Sequence, residues 1–409
     1  MESTRWNALG RYVRFLESNS QEEPAGCKYA DLLHETIVTD EDLKELLDLT
    51  CQIQQIQSPT FDEGERATFM YDQFKQLELA DVHLDSVGNV LARLPGADSN
   101  CKPVLLSAHL DTVFSRQANL PLIRAADRIT GPGIGDNALS LAALISVVKW
   151  MKQSGRAFTG DVWLVANVCE EGLGDLRGMR ALVDEFGSQI AAYIILEGMG
   201  LGNIYHRGLG VSRYRIHVET PGGHSWSSYG QPSAIHEIGR MISRLVDLSM
   251  PGSPRTTLNI GVISGGTTVN SIASKASFEI DLRSTSSQTL SFIETQVFTL
   301  ANNFNQGDVH VRIEPIGKRD AGEIPVDYPL VEAARCVIED LGIVPKLEIG
   351  STDANLPLSL GLPAICIGLS HGAKAHTMEE YIYTASVRDG LTQVLQLLQV
   401  AWAINLKKQ

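Results

Sequence analysis

Four short apolar runs restrict the fold of this 409-residue chain more than any other feature of its sequence. Runs of this length and apolar content are typical of strands that are buried on both faces of a sheet. Helical stretches such as LSLAALISVVKWM separate several of the runs. The alternation predicts an α/β domain with helices on the faces of its sheet. The runs are VLLSAH (104–109), VWLVANV (162–168), AYIIL (192–196) and AICIGL (364–369).

The pattern changes between about residues 210 and 318. Strand and helix patterns there follow the order βαββαβ, which is the ferredoxin-like arrangement. In ASFEIDLR, apolar and polar residues alternate, which predicts one packed and one polar sheet face. The first pattern resumes at YPLVEAARCVIEDLG. We therefore predict one α/β domain from residues 1–209 and 321–409, with residues 210–320 inserted as a second domain.

Composition excludes several classes of partner. The net charge is −14 and the basic residues are scattered, so we expect neither nucleic-acid binding nor binding to an anionic membrane. No secretory leader is evident at the start, and no segment approaches about 20 uninterrupted apolar residues. The six cysteines show no CxxC pairing, which favours reduced thiols. These features predict a soluble cytoplasmic protein.

Polar residues follow each apolar run, where ligands bind in open α/β sheets. Taken singly, most of them have ordinary explanations: Asp136 could cap the following helix, and His109 could be a hydrogen-bonded core histidine. Together they supply the imidazole and carboxylate groups that bind divalent metals. The candidates are His109, Asp111, Glu170, Glu171, Glu197 and one of His371 and His376, with Asp136 in the glycine-rich turn TGPGIGDN.

The adjacent Glu170 and Glu171 would repel each other at the end of a buried strand. The glycines of GLG (172–174) can turn the chain so that both side chains face one cleft. With Asp136 and Glu197 nearby, four carboxylates would crowd one pocket unless cations balanced them. The sequence therefore predicts a centre with two divalent metal ions.

Five motifs in order, SAHLDTV, GPGIGDN, CEEGLGDLRG, ILEG and AHTMEEY, resemble the dinuclear zinc exopeptidase and aminoacylase family. That family includes glutamate carboxypeptidase, tripeptidase, aminoacylase and succinyl-diaminopimelate desuccinylase. The resemblance, which extends from about residue 45 to the C-terminus, implies a zinc-exopeptidase-like catalytic domain with an inserted lid and dimerisation domain.

The resemblance also implies roles for individual residues. His109 and Glu197 would bind one metal, Glu171 and His376 the other, and Asp136 would bridge them. Glu170 would be the general base, Asp111 would orient His109, and a cis peptide would follow Asp136. In the insert, His224 of ETPGGHSW would polarise the scissile carbonyl in a homodimer, while Asn270 and Arg283 would hold a substrate carboxylate.

We therefore predict a metal-dependent exopeptidase in which two metals and Glu170 activate a bridging water. Zinc is the expected metal, with cobalt or manganese as alternatives. Features of this sequence resemble both the carboxypeptidases and the tripeptidases of the family. An N-acyl-amino-acid deacylase is the main alternative function. Hydrolysis of carbamoyl or ureido groups is a further alternative. A non-catalytic scaffold protein with the same fold is the last alternative, and it predicts that some of the site residues are missing.

Overall fold

The computed structural model describes Tyr29, Leu33 and residues 36–403. It divides into two compact units. The larger unit combines the chain up to Arg207 with the chain from Glu323 onwards, and the inserted unit is Gly208–Gly322. Five cysteines are described and all are free thiols, whereas Cys27 lies outside the described residues.

Helices and strands are numbered here along the chain. The helices are α1 Asp40–Gln54, α2 Gly64–Gln76, α3 Leu139–Ser154, α4 Arg177–Phe186, α5 Ala234–Val246, α6 Ser287–Asn302, α7 Pro329–Asp340, α8 Asn355–Ser359 and α9 Thr384–Val400. The strands are β1 Ala80–Leu84, β2 Val90–Leu94, β3 Val104–His109, β4 Ile123–Arg124, β5 Arg128–Thr130, β6 Val162–Asn167, β7 Ala192–Glu197, β8 Asn203–Gly208, β9 Gly210–Glu219, β10 Gly223–His224, β11 Thr256–Gly265, β12 Ser271–Ile272, β13 Lys275–Ser284, β14 His310–Arg319, β15 Gly322–Glu323, β16 Lys346–Gly350, β17 Ala364–Gly368, β18 Gly372–Ala373 and β19 Tyr381–Tyr383.

The main sheet of the larger unit has the strand order β1-β2-β6-β3-β7-β17-β8-β15, and β16 pairs with β8. Its four central strands, β6, β3, β7 and β17, run parallel. Every residue of β3 and β17 is buried, which accounts for their continuous apolar sequences. In this register His109 pairs with Asn167, so the carboxyl ends of β3 and β6 meet at one edge.

Helix α3 packs in the core of the larger unit, in contact with α1 and α9. Among the described residues, the stretch Ile134–Ser154 is long and apolar enough to cross a membrane by length and composition, but 89% of its most apolar window is buried inside the protein. The N-cap of α3 is Ala138 and no side chain caps it. Asp136 is therefore not the cap of this helix, and its carboxylate is available for another role.

The inserted unit is a four-stranded antiparallel sheet with the order β11-β13-β9-β14. Helices α5 and α6 pack on one face, over a core that includes Phe278, Ile280 and Leu282. The elements follow in the order βαββαβ, with a short separate ribbon formed by β10 and β12. The predicted α/β fold with a βαββαβ insert is confirmed.

Candidate metal centre

The predicted metal ligands lie at the carboxyl ends of the parallel strands and in the loops beside them. His109 and Glu197 are the last residues of β3 and β7. Glu171 follows β6, and His376 lies between β18 and β19. Asp136 lies in the turn Ile134–Ala138 that precedes α3. The sheet therefore brings together side chains that are up to 267 positions apart, from 109 to 376.

Two groups of side chains share Asp136. In the first, Nε2 of His109 lies 3.1 Å from Oδ1 of Asp136 and 3.8 Å from Oε2 of Glu197. In the second, Nε2 of His376 lies 3.0 Å from Oδ2 of Asp136 and 3.1 Å from Oε1 of Glu171. Each group places its three ligand atoms within 4.8 Å of one another. One carboxylate thus faces both imidazoles, as a bridging metal ligand must.

These residues fit two divalent cations. Oδ1 of Asp136 is buried, and although Nε2 of His109 lies 3.1 Å away, the two atoms do not have hydrogen-bond geometry and no other described group donates to this oxygen. A buried carboxylate oxygen without a donor is costly unless a cation or water satisfies it. Glu170 lies in a third group, within 4.8 Å of ligand atoms of His109 and Glu171. Across the described residues, His371 belongs to none of these groups.

The charges of the centre depend on one another. Burial disfavours the ionised form of Asp136, but His109 and His376 outweigh it and lower the pKa of Asp136. Asp136 and Glu171 raise the pKa of His376 to about 11, and burial raises that of Glu197 to about 7. The carboxylates thus stabilise positive charge on the imidazoles. Divalent cations would supply that charge instead, because histidine binds metals in its neutral form.

The chain turns before the two glutamates, at Cys169, rather than only at the glycines that follow them. Cys169 has φ +60°, in the left-handed region that residues other than glycine seldom adopt. The carboxylate of buried Glu63 accepts hydrogen bonds from both N–H (3.1 Å) and Sγ (3.3 Å) of Cys169. This turn, followed by the positive φ of Gly172, explains why Glu170 and Glu171 both reach the His109 group.

Asp111 has a wider role than the one predicted from the sequence. Nδ1 of His109 lies 3.0 Å from the main-chain oxygen of Asp111 but 3.6 Å from its carboxylate. The carboxylate instead accepts the N–H groups of Glu170 and Glu171, each at 2.9 Å, and the hydroxyl of Thr60. The carbonyl of Asp111 thus orients the imidazole, while its carboxylate holds the glutamate segment.

The turn that carries Asp136 is anchored on both sides. Buried Glu380 accepts hydrogen bonds from three main-chain N–H groups of residues 133–136. Asn137 donates to the carbonyl of Leu196 at 2.9 Å and accepts from the N–H of Gly198 at 3.1 Å. Its side chain thus links the turn to both neighbours of Glu197. The peptide bond between Asp136 and Asn137 is cis, as the resemblance implied.

Sequence reasoning did not assign roles to Glu63, Asn89 or Glu380. Asn89 accepts the N–H of Val168 at 2.9 Å, just ahead of the glutamates. All three hold main-chain N–H groups that are distant in sequence, by up to 247 positions for Glu380. No local spacing marks such contacts. In the segment EEYIY, Glu380 directly precedes a short strand. A polar residue that is expected to be buried beside a strand needs hydrogen-bond partners, and this is the one sequence signal that could have indicated Glu380.

The three predicted substrate contacts lie in the inserted unit. His224 is exposed on β10, and the N–H of Ser225 donates to the carbonyl of Asn270 at 3.0 Å, so His224 and Asn270 are neighbours. Arg283 is near the other end of β13, eight residues after Lys275, or about 26 Å along the strand. It pairs with Asp281 at 2.7 Å. One small carboxylate therefore does not reach both Asn270 and Arg283 of the same unit.

The sequence model of peptidase family M20/M25/M40 matches residues 105–400, well over half of the chain. The chain belongs to this family. A Peptidase M20 domain-containing protein of Schizosaccharomyces pombe is 32% identical over 204 residues, which are 48% of each chain, so that match spans about half of the relative. The succinyl-diaminopimelate desuccinylase of Corynebacterium glutamicum is 27% identical over 353 residues, 83% of this chain and 92% of the relative.

A solved structure of a tripeptidase from Staphylococcus aureus has the same fold, with a TM-score of 0.75 at 22% identity over 88% of this chain and 99% of the tripeptidase. Family membership and the two groups that share Asp136 identify this chain as a metal-dependent amide hydrolase. The predicted metallohydrolase is therefore confirmed at the level of the reaction class. Within the described residues, every predicted ligand type is present in these groups, which argues against a non-catalytic scaffold.

Proposed function

We propose that this chain is an exopeptidase that hydrolyses the terminal amide bond of small peptides at a centre of two metal ions. The observation that carries the proposal is the position of Asp136, which directs one oxygen towards His109 and the other towards His376. With Glu171 and Glu197, these residues provide three ligand atoms for each ion. Zinc suits a set of imidazoles and carboxylates, as do cobalt and manganese.

Each residue has a separate task in the proposed reaction. His109 and Glu197 would hold one ion, Glu171 and His376 would hold the other, and Asp136 would contribute to both. Two divalent ions, when bound there, act as Lewis acids and lower the pKa of water. Glu170 takes a proton from the attacking water and passes it to the leaving amine as the carbon–nitrogen bond breaks.

The substrate side chain has a suitable pocket next to the centre. A cavity of about 290 Å³ is lined by Asp136, Glu197, Met199 and Tyr205, together with the segment 350–352. The ring of Tyr205 packs so closely on Gly350 that a Cβ there would lie 2.8 Å from Cδ1. Among the described residues, those that line the cavity include no lysine or arginine. This lining favours substrates with an uncharged side chain over succinylated diacids, which carry additional carboxylates.

His224 is suited to polarise the substrate carbonyl. Its Nδ1 lies 3.2 Å from the N–H of Trp226, which donates to it. A neutral ring therefore carries its proton on Nε2, which can donate to the carbonyl oxygen as negative charge develops. We assign Asn270, its neighbour directly before β12, to binding the substrate carboxylate. Arg283 at the other end of β13 would contact a different part of the substrate or of a second subunit.

We further propose a homodimer that forms through the inserted unit, which serves as the lid and dimerisation domain. Strand β11 is an edge strand whose Val262 and Ile263 are 51% and 60% exposed. Beside it lies an apolar groove of about 400 Å³, formed with Ile242 and Val246 of α5. An exposed apolar edge favours pairing with a second copy. A cytoplasmic location, indicated by the free thiols, belongs to the same proposal.

An N-acyl-amino-acid deacylase is the second candidate. It is favoured by the similarity to a succinyl-diaminopimelate desuccinylase, which extends over 83% of this chain. The two functions share the metal centre and differ in the group that precedes the scissile bond. Peptide substrates offer an α-amino acid there, whereas the deacylase would require an acyl chain.

A substrate panel tests the proposal. Purified protein is supplied with zinc, cobalt or manganese and assayed against matched di- and tripeptides, N-acetyl and N-succinyl amino acids, and N-carbamoyl amino acids. We expect amino-acid release from small uncharged peptides that disappears after chelation and returns with metal. Preferential hydrolysis of acylated amino acids would replace the exopeptidase by the deacylase. No chelator-sensitive hydrolysis of any member would contradict both.

A further inference from the structure

Glu380 is completely buried and lies four residues after His376. Oε1 accepts the N–H groups of Gly135 and Asp136, each at 2.8 Å, and Oε2 accepts that of Gly133 at 3.1 Å. Its main-chain oxygen accepts the N–H of Gly131 at 2.8 Å. One residue therefore fixes four N–H groups of the segment that leads to Asp136.

Strand pairing brings Glu380 to this position. Tyr381, the next residue, begins β19 and pairs with Thr130 at the end of β5. The contact between Gly131 and Glu380 continues that pairing by one residue. Beyond it the chain leaves the strand with φ +73° at Gly133, so its N–H groups turn towards the carboxylate instead of a strand.

A carboxylate suits this place better than any uncharged side chain. Burying a charged group is costly, and the three N–H donors here offset part of that cost. Glutamine has the same shape, but its NH₂ group would face N–H donors and could not accept from them. A purely space-filling role would not require two acceptor oxygens.

The other side of Asp136 is anchored as well, through Asn137 and the residues that flank Glu197. The direction of the Asp136 carboxylate therefore depends on two supports, one from Glu380 and one from Asn137. If the support from Glu380 were lost, the main chain on the N-terminal side of Asp136 could rotate. The two carboxylate oxygens of Asp136 would then no longer face His109 and His376 together. Ligand geometry of this kind is sensitive to the groups that orient the ligands.

We infer that Glu380 is a positioning residue that orients Asp136 so that one carboxylate serves both metal ions. This inference rests on the proposed two-metal function. In this role Glu380 contacts neither the substrate nor a metal ion. Its effect passes through the main chain of residues 133–136, and loss of Glu380 should weaken metal binding as well as catalysis.

The test compares Glu380→Gln with Glu379→Gln. Glu379 is the adjacent residue, has a side chain that is 73% exposed and pairs only with Lys374 among the contacts described. Each protein is freed of metal and titrated with Co²⁺, while binding and the visible absorption of the bound ion are recorded. For Glu380→Gln we expect at least one equivalent to bind about 10- to 100-fold more weakly, with an altered spectrum and a lower kcat. Glu379→Gln should match the wild type within about twofold.

Several outcomes separate this inference from the proposed function. If the wild type binds no Co²⁺, the two-metal function itself fails. If the wild type binds two equivalents and Glu380→Gln binds them equally well with an unchanged spectrum, the inference is wrong. Should the glutamine variant not fold, Glu380→Asp replaces it, because it keeps the charge but shortens the reach. Undiminished Co²⁺ affinity in a folded aspartate variant would likewise overturn the inference.

Discussion

Nε2 of His376 lies 3.0 Å from Oδ2 of Asp136, a residue 240 positions earlier in the chain. The other oxygen of Asp136 lies 3.1 Å from His109. One carboxylate thus faces imidazoles that come from the two separate chain segments of the larger unit. The stoichiometry of metal binding should follow from this arrangement.

Replacement of His376 by alanine should remove one metal and leave the other. The His109 group keeps its three ligand atoms in that variant, so we expect the metal content to fall from about two equivalents to about one, with loss of hydrolysis. Elemental analysis of the purified protein measures this. His371→Ala is the matched control because His371 is exposed and belongs to no ligand group among the described residues. If His371→Ala loses metal instead, His371 rather than His376 is the metal ligand.

Glu170→Gln should separate catalysis from metal binding. The variant keeps the shape of the side chain but cannot take a proton, so kcat should fall by about 10²- to 10⁴-fold. Metal content should remain that of the wild type. Glu171→Gln, in contrast, should lose metal, because Oε1 of Glu171 lies 3.1 Å from His376. If Glu170→Gln is the variant that loses metal, the roles of the two glutamates are reversed.

Val262→Asp should disrupt the proposed dimer. Val262 is half-exposed on the edge strand β11, and a buried charge at a strand-to-strand interface is strongly unfavourable. Light scattering at micromolar concentration should give the mass of a dimer for the wild type and that of a monomer for the variant. Val344→Asp, at a 78% exposed valine in the larger unit, should remain dimeric. A monomeric wild type would contradict the dimer and any action of His224 on a partner subunit.

Protonation of Asp281 should make the inserted unit less stable in acid. Asp281 pairs with Arg283 at 2.7 Å and Arg213 at 2.9 Å. Burial opposes its charge, but the two arginines outweigh that effect and lower the pKa of Asp281. Because the folded pKa is below the unfolded one, charged Asp281 stabilises the fold above the unfolded pKa. This contribution disappears as the pH falls through the folded pKa.

The measurement is the difference in Tm between the wild type and Asp281→Asn as a function of pH. We expect the wild type to melt about 2–4 °C higher near pH 6, and the difference to shrink once the pH is well below the unfolded pKa of an aspartate. Asp308→Asn, at an exposed loop position of the same unit, is the control and should change Tm little at either pH. A difference for Asp281→Asn that does not depend on pH would assign its effect to packing.

Much of the fold and of the site could be predicted because the signals are local. The apolar runs identify the parallel strands, and the residues that end them, such as His109 and Glu197, indicate where ligands collect. Alternation in Phe278, Ile280 and Leu282 indicates a sheet with one packed face. These patterns depend only on neighbours along the chain, since burial repeats with the period of the element.

Details of orientation could not be predicted in the same way. The sequence suggested that glycines after Glu171 turn both glutamates into the cleft, whereas the chain already turns at Cys169, where Glu63 accepts its N–H. It also paired Asn270 with Arg283 as one carboxylate clamp, although β13 separates them. In both cases a contact or a distance across the fold decides the result.

By itself, then, the sequence determined the α/β class, the βαββαβ order of the insert and the chemical types of the candidate metal ligands. The family resemblance implied a bridging Asp136 and His376 as a ligand, but only the tertiary structure shows that each oxygen of Asp136 faces one imidazole and that Glu380 supports its turn. The physical reason is that ligand type is a property of a residue. Ligand direction is a property of the main chain, which distant side chains hold in place through its N–H groups.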